Sequence, residues 1–119
     1  MKKRIILGVA IAVLICATAY AQSFVNSSGS KTGSAVIFGM PGNLHKIVVS
    51  TDATNAQTVD IYDSVDDSGT KLIPTWIVTT SATDRTQTIG FSPPVRFSTA
   101  LYVKVAGSGT MSYVVYTSR

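Results

Sequence analysis

Four aspartates within eight residues form a dense group of oxygen ligands. Asp60, Asp63, Asp66 and Asp67 offer the carboxylate oxygens that calcium prefers. Their spacing, D-x-x-D-x-x-D-D-x-G, differs from the D-x-D-x-D-G calcium loop, and aspartates followed by glycine are also typical of a turn. The spacing favours a turn between two strands, so we predict no metal site and keep calcium at these four residues as the alternative.

Two tyrosines could contact a sugar ring or another protein. In residues 58–63 and 101–106, apolar side chains alternate with polar ones, a pattern typical of strands with one solvated face. The alternation places Tyr62 and Tyr102 on the outer face. Exposed aromatic rings of this kind stack on sugars, and they are equally common at protein interfaces. Both tyrosines are therefore candidate ligand-binding residues, with glycan as one partner class and protein as the other.

Catalytic groups are scarce. His45 is the sole histidine, and a hydrolase triad needs a base, a nucleophile and an orienting acid. The sequence has no G-x-S-x-G elbow and no glycine-rich phosphate loop that opens a helix. Zinc would require more histidines or cysteines than one of each. We therefore predict a protein that is not an enzyme, has no catalytic residues and needs no cofactor.

The N-terminal segment has the form of an export signal. Lys2, Lys3 and Arg4 precede an uncharged stretch over residues 5–21 that ends in Ala19-Tyr-Ala21, which matches the basic, apolar and small-residue parts of a signal peptide. Seventeen uncharged residues are also just enough for an uncleaved membrane-anchor helix. We predict a signal peptide over residues 1–21, with a retained anchor as the alternative. The expected location is exported, that is the periplasm, the cell surface or the extracellular space.

The basic charge of the chain comes largely from that segment. The whole chain has ten basic and six acidic residues. Three of the ten precede residue 5, which leaves seven scattered basic residues against six acidic ones. Nucleic-acid binding needs a clustered basic face. We therefore predict no nucleic-acid partner, and membrane contact only through residues 5–21 if they are retained.

The rest of the chain predicts an all-β domain. Residues 22–34 are rich in Gly and Ser and indicate a flexible polar arm, and residues 35–119 form the domain. Eight short strands separated by turn residues indicate an antiparallel β-sandwich, which we expect to be of jelly-roll type. The strands are expected over residues 35–39, 44–51, 58–63, 71–80 (interrupted at Pro74), 85–91, 95–97 (after a break at Ser92-Pro93-Pro94), 101–106 and 110–117.

Apolar alternation also predicts the core. The expected core residues are Val36, Phe38, Ile47, Val49, Val59, Ile61, Leu72, Trp76, Ile89, Phe91, Phe97, Leu101, Val103, Val105, Tyr113 and Val115.

Three segments carry a family resemblance. They are G-N-L-H-K-I-V-V-S (42–50), T-V-D-I-Y-D-S-V-D-D-S-G-T (58–70) and F-S-T-A-L-Y-V-K-V-A-G (97–107). Together they resemble small β-sandwich proteins encoded among the structural genes of tailed bacteriophages. The resemblance implies a virion accessory role, such as a decoration, neck or fibre subunit, that works by packing and has no catalytic residues. It also implies a virion-associated location as the alternative to export.

Two functions follow from these observations. The first is a non-enzymatic structural subunit that associates with itself or with a larger protein assembly. The absence of cysteine after Cys16 favours this function, because a small exported domain without disulfides depends on packing or on association. The second is an exported cell-surface module that binds glycan or protein. The export signal favours this second function over the virion role.

Overall fold

The computed structural model describes residues 24–79 and 81–119. The predicted signal or anchor helix (1–21), the first two residues of the arm and Thr80 lie outside this part. No helix in the described ranges is long and apolar enough to cross a membrane. The described residues form nine strands: β1 (Asn26–Ser27), β2 (Ala35–Phe38), β3 (Gly42–Thr51), β4 (Gln57–Asp63), β5 (Thr70–Lys71), β6 (Trp76–Val78), β7 (Thr86–Phe97), β8 (Leu101–Ala106) and β9 (Met111–Ser118).

The strands assemble into two antiparallel sheets. The first sheet has the order β1-β9-β3-β7, and the second has the order β2-β8-β4-β5, with β6 also paired to β4. The pairs are nested along the chain, because β1 pairs with β9, β2 with β8, β3 with β7, and β4 with β5 and β6. The prediction of an all-β, antiparallel β-sandwich is confirmed.

The core lies between the two sheets. Alternate residues of the central strands face inward, as period-two alternation requires, and burying each large aliphatic side chain stabilises the fold by roughly 1.5–3 kcal/mol. The buried apolar cluster consists of Leu44, Ile47, Val49, Val59, Ile61, Val78, Phe97, Leu101, Val103, Met111, Tyr113 and Val115.

The prediction that Val36 belongs to the core is wrong. Val36 is 45% exposed, whereas Ile37 and Phe38 pack against the core from adjacent positions. The register between β2 and β8 shifts between Val36 and Phe38, and a bulge of this kind turns two successive side chains toward one face.

A second bulge lies at His45. The register of β3 shifts between Leu44 and Lys46 against both β7 and β9. Strict alternation would put Leu44 and Ile47 on opposite faces, but the extra residue brings both inward, where each is fully buried. The bulge therefore adds Leu44 to the core.

The structure also differs from the sequence prediction around the prolines. The expected break at Ser92-Pro93-Pro94 is wrong, because β7 continues through both prolines. The pairing with β3 moves from Gly90 to Val95 over a short stretch of β3, so the prolines sit in a bulge. Within the described residues β7 pairs on one side only, and edge strands tolerate residues without an N–H. The expected strand around Pro74 is divided into β5 and β6.

Part of the polar arm lies along β9. Asn26–Ser27 pair with β9 as β1, and Lys31 forms a further bridge to Tyr113. The hydroxyl of Tyr113 donates a hydrogen bond to the Gly33 carbonyl at 2.7 Å. The arm is therefore attached at several points in this part of its length.

Tyr113 should titrate late. Burial raises the pKa of its hydroxyl to about 12, from an ordinary value of about 10. Because the folded pKa is the higher one, this group stabilises the fold fully below about pH 10 and loses that contribution as the pH rises toward 12. Ultraviolet titration of phenolate should show one late transition that is absent from Tyr113→Phe. If the variant retains the late transition, this assignment fails.

Candidate functional site

The outer surface of the second sheet presents a row of apolar and aromatic side chains. Val36, Tyr102, Tyr62 and Lys71 are cross-strand partners on β2, β8, β4 and β5. Directly paired residues project from the same face of a sheet. The next pair along the strands is Asp60 with Lys104. We call this surface the tyrosine face, defined by Val36, Asp60, Tyr62, Lys71, Tyr102 and Lys104.

The two tyrosines are in contact. The ring centroids of Tyr62 and Tyr102 are 6.4 Å apart and the ring planes are tilted by 48°, within the range of favourable aromatic pairs. Both side chains are partly exposed, and exposed Val36 extends the patch across β2. The result is a continuous apolar surface. Because the ring planes are tilted, the two rings face solvent at different angles.

A hydrogen-bonded ion pair borders the rings at β5. The Lys71 ammonium lies 2.8 Å from Asp60 Oδ1 and donates to Thr75 Oγ1 at 2.9 Å. The same ammonium lies 5.7 Å from the centroid of the Tyr62 ring. Its hydrogen bond to Asp60 raises the pKa of Lys71. Burial raises the pKa of Asp60, but the hydrogen bonds from Lys71 and Thr75 outweigh it and lower the pKa overall.

A second ion pair joins β8 to the turn after β4. The Lys104 ammonium lies 2.6 Å from Asp67 Oδ2, and this hydrogen bond raises the pKa of Lys104. Exposed ion pairs contribute little stability. Their consequence here is to hold charged groups of both signs beside the aromatic patch.

Asp63 fixes the turn between β7 and β8. Its Oδ2 accepts hydrogen bonds from the Ser98 amide and hydroxyl, both at 2.8 Å. Its Oδ1 accepts from the amides of Thr99 at 2.7 Å and Ala100 at 3.3 Å. Burial raises the pKa of Asp63, but these four hydrogen bonds outweigh it and lower the pKa overall. Both carboxylate oxygens therefore have a structural role.

Asp66 shapes the turn between β4 and β5. Its Oδ1 accepts hydrogen bonds from the Ser68 hydroxyl and amide and from the Ser64 hydroxyl, and these bonds lower the pKa of Asp66. The four aspartates of the calcium hypothesis thus each have a protein partner. Across residues 24–79 and 81–119, no three His, Cys, Asp or Glu side chains are placed to hold a metal ion. The absence of a metal site stays a prediction, with calcium at these four residues as the alternative.

His45 lies at the bulge of β3. Its Nε2 is 2.8 Å from the Ser118 hydroxyl, and the side chain is partly buried. Both residues belong to strands of the first sheet, away from the tyrosine face. The contact links β3 to β9 next to the bulge.

Sequence reasoning missed a pocket at the end of the first sheet. Its lining residues are Pro41, Gly42, Asn43, Arg96 and Arg119. They come from three segments that are distant in sequence. None of these residue types is unusual for the turn or strand in which it occurs. The pairing of β7 and β9 with β3 brings them together, so no local motif identifies them.

Comparison with known proteins gives a limited result. No protein-family model matches the chain, and the search of curated proteins found no match. Among solved structures, the chain is similar to the infectious bursal disease virus VP2 subviral particle, with 15% identity, a TM-score of 0.37, and coverage of 82% of this chain and 32% of that chain. It is also similar to the structure of the Gx strain of infectious bursal disease virus, with 16% identity, a TM-score of 0.34, and coverage of 82% and 27%.

The chain spans about a third or less of the length of these structural neighbours. TM-scores of this size do not define a shared topology. Both of these structures are of infectious bursal disease virus, and neither is of a tailed bacteriophage.

Proposed function

We propose that this chain is a non-enzymatic structural subunit, and that its tyrosine face packs against a second copy within a larger assembly. The observation that carries the proposal is the unbroken row of Val36, Tyr102 and Tyr62 across three strands. Tyrosines are enriched at protein interfaces, where a central aromatic patch is bordered by a polar rim. Lys71 and Lys104, each with its aspartate partner, supply such a rim.

Charge balance supports a second copy as the partner. The tyrosine face and the adjoining turn carry two ammonium groups and two carboxylates, arranged as Lys71 with Asp60 and Lys104 with Asp67. A surface with equal numbers of both signs can place each ammonium opposite a carboxylate of the second copy when a two-fold axis brings it against itself. A partner of strongly one-sided charge would gain nothing from this arrangement.

The nested strand pairs support a jelly roll as the finer description of the fold. A jelly roll is a long antiparallel ribbon, rolled so that successive strand pairs lie alternately in two sheets. The pairing of β1 with β9, β2 with β8, β3 with β7, and β4 with β5 and β6 has this form. Together with the resemblance to small bacteriophage β-sandwich proteins, it supports a virion-associated accessory subunit.

The oligomeric state tests the proposal. We expect the chain purified after bacterial expression to associate as its concentration rises in analytical ultracentrifugation. The double variant Tyr62→Ala/Tyr102→Ala should raise the dissociation constant by about tenfold or more, since buried interface tyrosines are frequent hot spots. Tyr116→Ala is the matched control, because Tyr116 lies on the first sheet beneath Lys46, and it should associate like the wild type.

Two results would contradict self-association through this face. One is a wild-type chain that stays monomeric at every concentration. The other is a Tyr116→Ala variant that weakens association as much as the double variant does.

A second function uses the same residues. Tyr62 and Tyr102, beside the donors and acceptors of Lys71 and Asp60, have the chemical groups that bind sugars by stacking and hydrogen bonding. As an exported cell-surface module, the chain would bind glycans on an array, and the double tyrosine variant would lose that binding while Tyr116→Ala retained it. Association without glycan binding favours the first function, and glycan binding by a monomer favours the second.

A further inference from the structure

A pocket of about 300 Å³ lies at one end of the first sheet. Asn43 of β3 is central to it. On one side Asn43 pairs with Arg96 of β7, and on the other it pairs with Ser118 of β9, directly before Arg119. The central strand is therefore flanked by two segments that each bring one arginine to the same pocket.

The backbone fixes the shape of this pocket. A β-carbon on Gly42 would lie 2.5 Å from the Ser118 carbonyl oxygen and 2.9 Å from the Phe97 ring, so no other residue fits there without displacing β9. Pro41 lines the same end with a ring that has little conformational freedom. Glycine and proline thus line this end of the pocket without a long, mobile side chain.

The pocket contains two cationic groups and no acidic side chain. Both arginines are exposed, and in the described ranges neither guanidinium belongs to an ion pair, because the ion pairs there join Lys71 to Asp60 and Lys104 to Asp67. Each guanidinium carries five N–H donors, and the amide of Asn43 adds two more. Donors therefore outnumber acceptors, since Asn43 Oδ1 is the one side-chain acceptor among these lining residues.

We propose that this pocket binds an oxyanion group, that is a carboxylate, sulfate or phosphate, through Arg96, Arg119 and the amide of Asn43. Guanidinium groups pair with such groups through two parallel hydrogen bonds. Two arginines that line the same pocket can both donate to one oxyanion. The volume is at the lower end of small-ligand pockets, which fits a single anionic group or one acidic sugar. The site lies on the first sheet, so it is independent of the tyrosine face.

Titration with simple anions tests the site. Acetate, inorganic sulfate and inorganic phosphate are added in turn to the purified chain at low ionic strength, and amide chemical shifts are followed by NMR. We expect at least one of the three to shift the backbone amides of Gly42, Asn43 and Arg96 in a saturable way. Added sodium chloride should weaken the binding, because exposed charges are screened. Phosphate and sulfate binding without acetate binding would identify a tetrahedral group, and the reverse would identify a carboxylate.

Charge variants separate a built site from general attraction. Arg96→Gln and Arg119→Gln should each weaken binding by about tenfold or more. Arg96→Lys should weaken it less, because lysine keeps the positive charge although it cannot donate two parallel hydrogen bonds. Arg85→Gln is the matched control, since Arg85 is an exposed arginine just before the opposite end of β7, and it should bind like the wild type. Binding of none of the three anions, or equal weakening by Arg85→Gln, would overturn the proposal.

Discussion

Replacing Phe97 by alanine is expected to lower the free energy of unfolding by about 3–5 kcal/mol. Phe97 is fully buried, and its ring packs edge-on against Phe38 with the centroids 5.9 Å apart and the planes at 80°. The ring also lies against Gly42, which admits no β-carbon. Truncation therefore leaves a cavity in the core between the two sheets. Urea denaturation followed by tryptophan fluorescence measures the loss.

Phe91→Ala is the control for this prediction. Phe91 lies on the same strand, β7, but is only partly buried where it packs against the core. The chemical change is identical, so the difference between the two variants reports burial alone. A loss for Phe97→Ala no larger than that for Phe91→Ala would contradict the assignment of Phe97 to the centre of the core. Since small domains have only about 5–15 kcal/mol of stability, Phe97→Ala should be marginally folded.

Asp63→Asn is expected to cost about 1–3 kcal/mol at neutral pH. The carboxylate accepts four hydrogen bonds, two at each oxygen, from the turn of Ser98, Thr99 and Ala100. Asparagine keeps the shape but offers one oxygen, and its NH₂ group must then face two N–H or O–H donors. Asp84→Asn is the control, because no hydrogen bond to the Asp84 carboxylate is present among the described residues, and it should change stability by less than about 0.5 kcal/mol.

The pH dependence makes the Asp63 prediction sharper. Burial raises the pKa of Asp63, but the four hydrogen bonds outweigh it, and the folded pKa is below its ordinary value. A lowered folded pKa means that the contribution is present above the unfolded pKa of about 3.9 and is lost as the pH falls through the folded pKa. The gap between wild type and Asp63→Asn should therefore close in acid. A gap that stays constant from about pH 7 to about pH 3 would show that Asp63 acts by shape and not by charge.

Alternation and turn residues predict most of the fold. The outward placement of Tyr62 and Tyr102 follows from the apolar residues between which they lie, because a strand with one buried face leaves little choice. Their contact does not follow. It depends on the pairing of β4 with β8, two strands separated by β5, β6 and β7, and no local pattern encodes which distant strands pair.

The bulges explain most of what the sequence leaves undetermined. Leu44 and Ile47 are three residues apart and both buried, which violates alternation unless an extra residue is present at His45. The same effect exposes Val36. Proline has no backbone N–H, so the sequence predicts that Pro93 and Pro94 break a strand. An edge strand tolerates the missing N–H because it pairs on one side only. The sequence does not predict the pocket lined by Arg96 and Arg119 for a related reason. Strand register, and not spacing along the chain, brings its residues together.

The position of β9 has a consequence for synthesis. β9 is the last strand along the described chain, yet it lies between β1 and β3 in its sheet, and β8 lies between β2 and β4. Neither sheet can close until its middle is supplied by residues 101–118. Emerging at roughly 5–20 residues per second, the chain must stay largely unfolded for several seconds and then form distant pairings, a slow step for β topologies. A polypeptide that folds this late stays unfolded for longer, as translocation through an export channel would require.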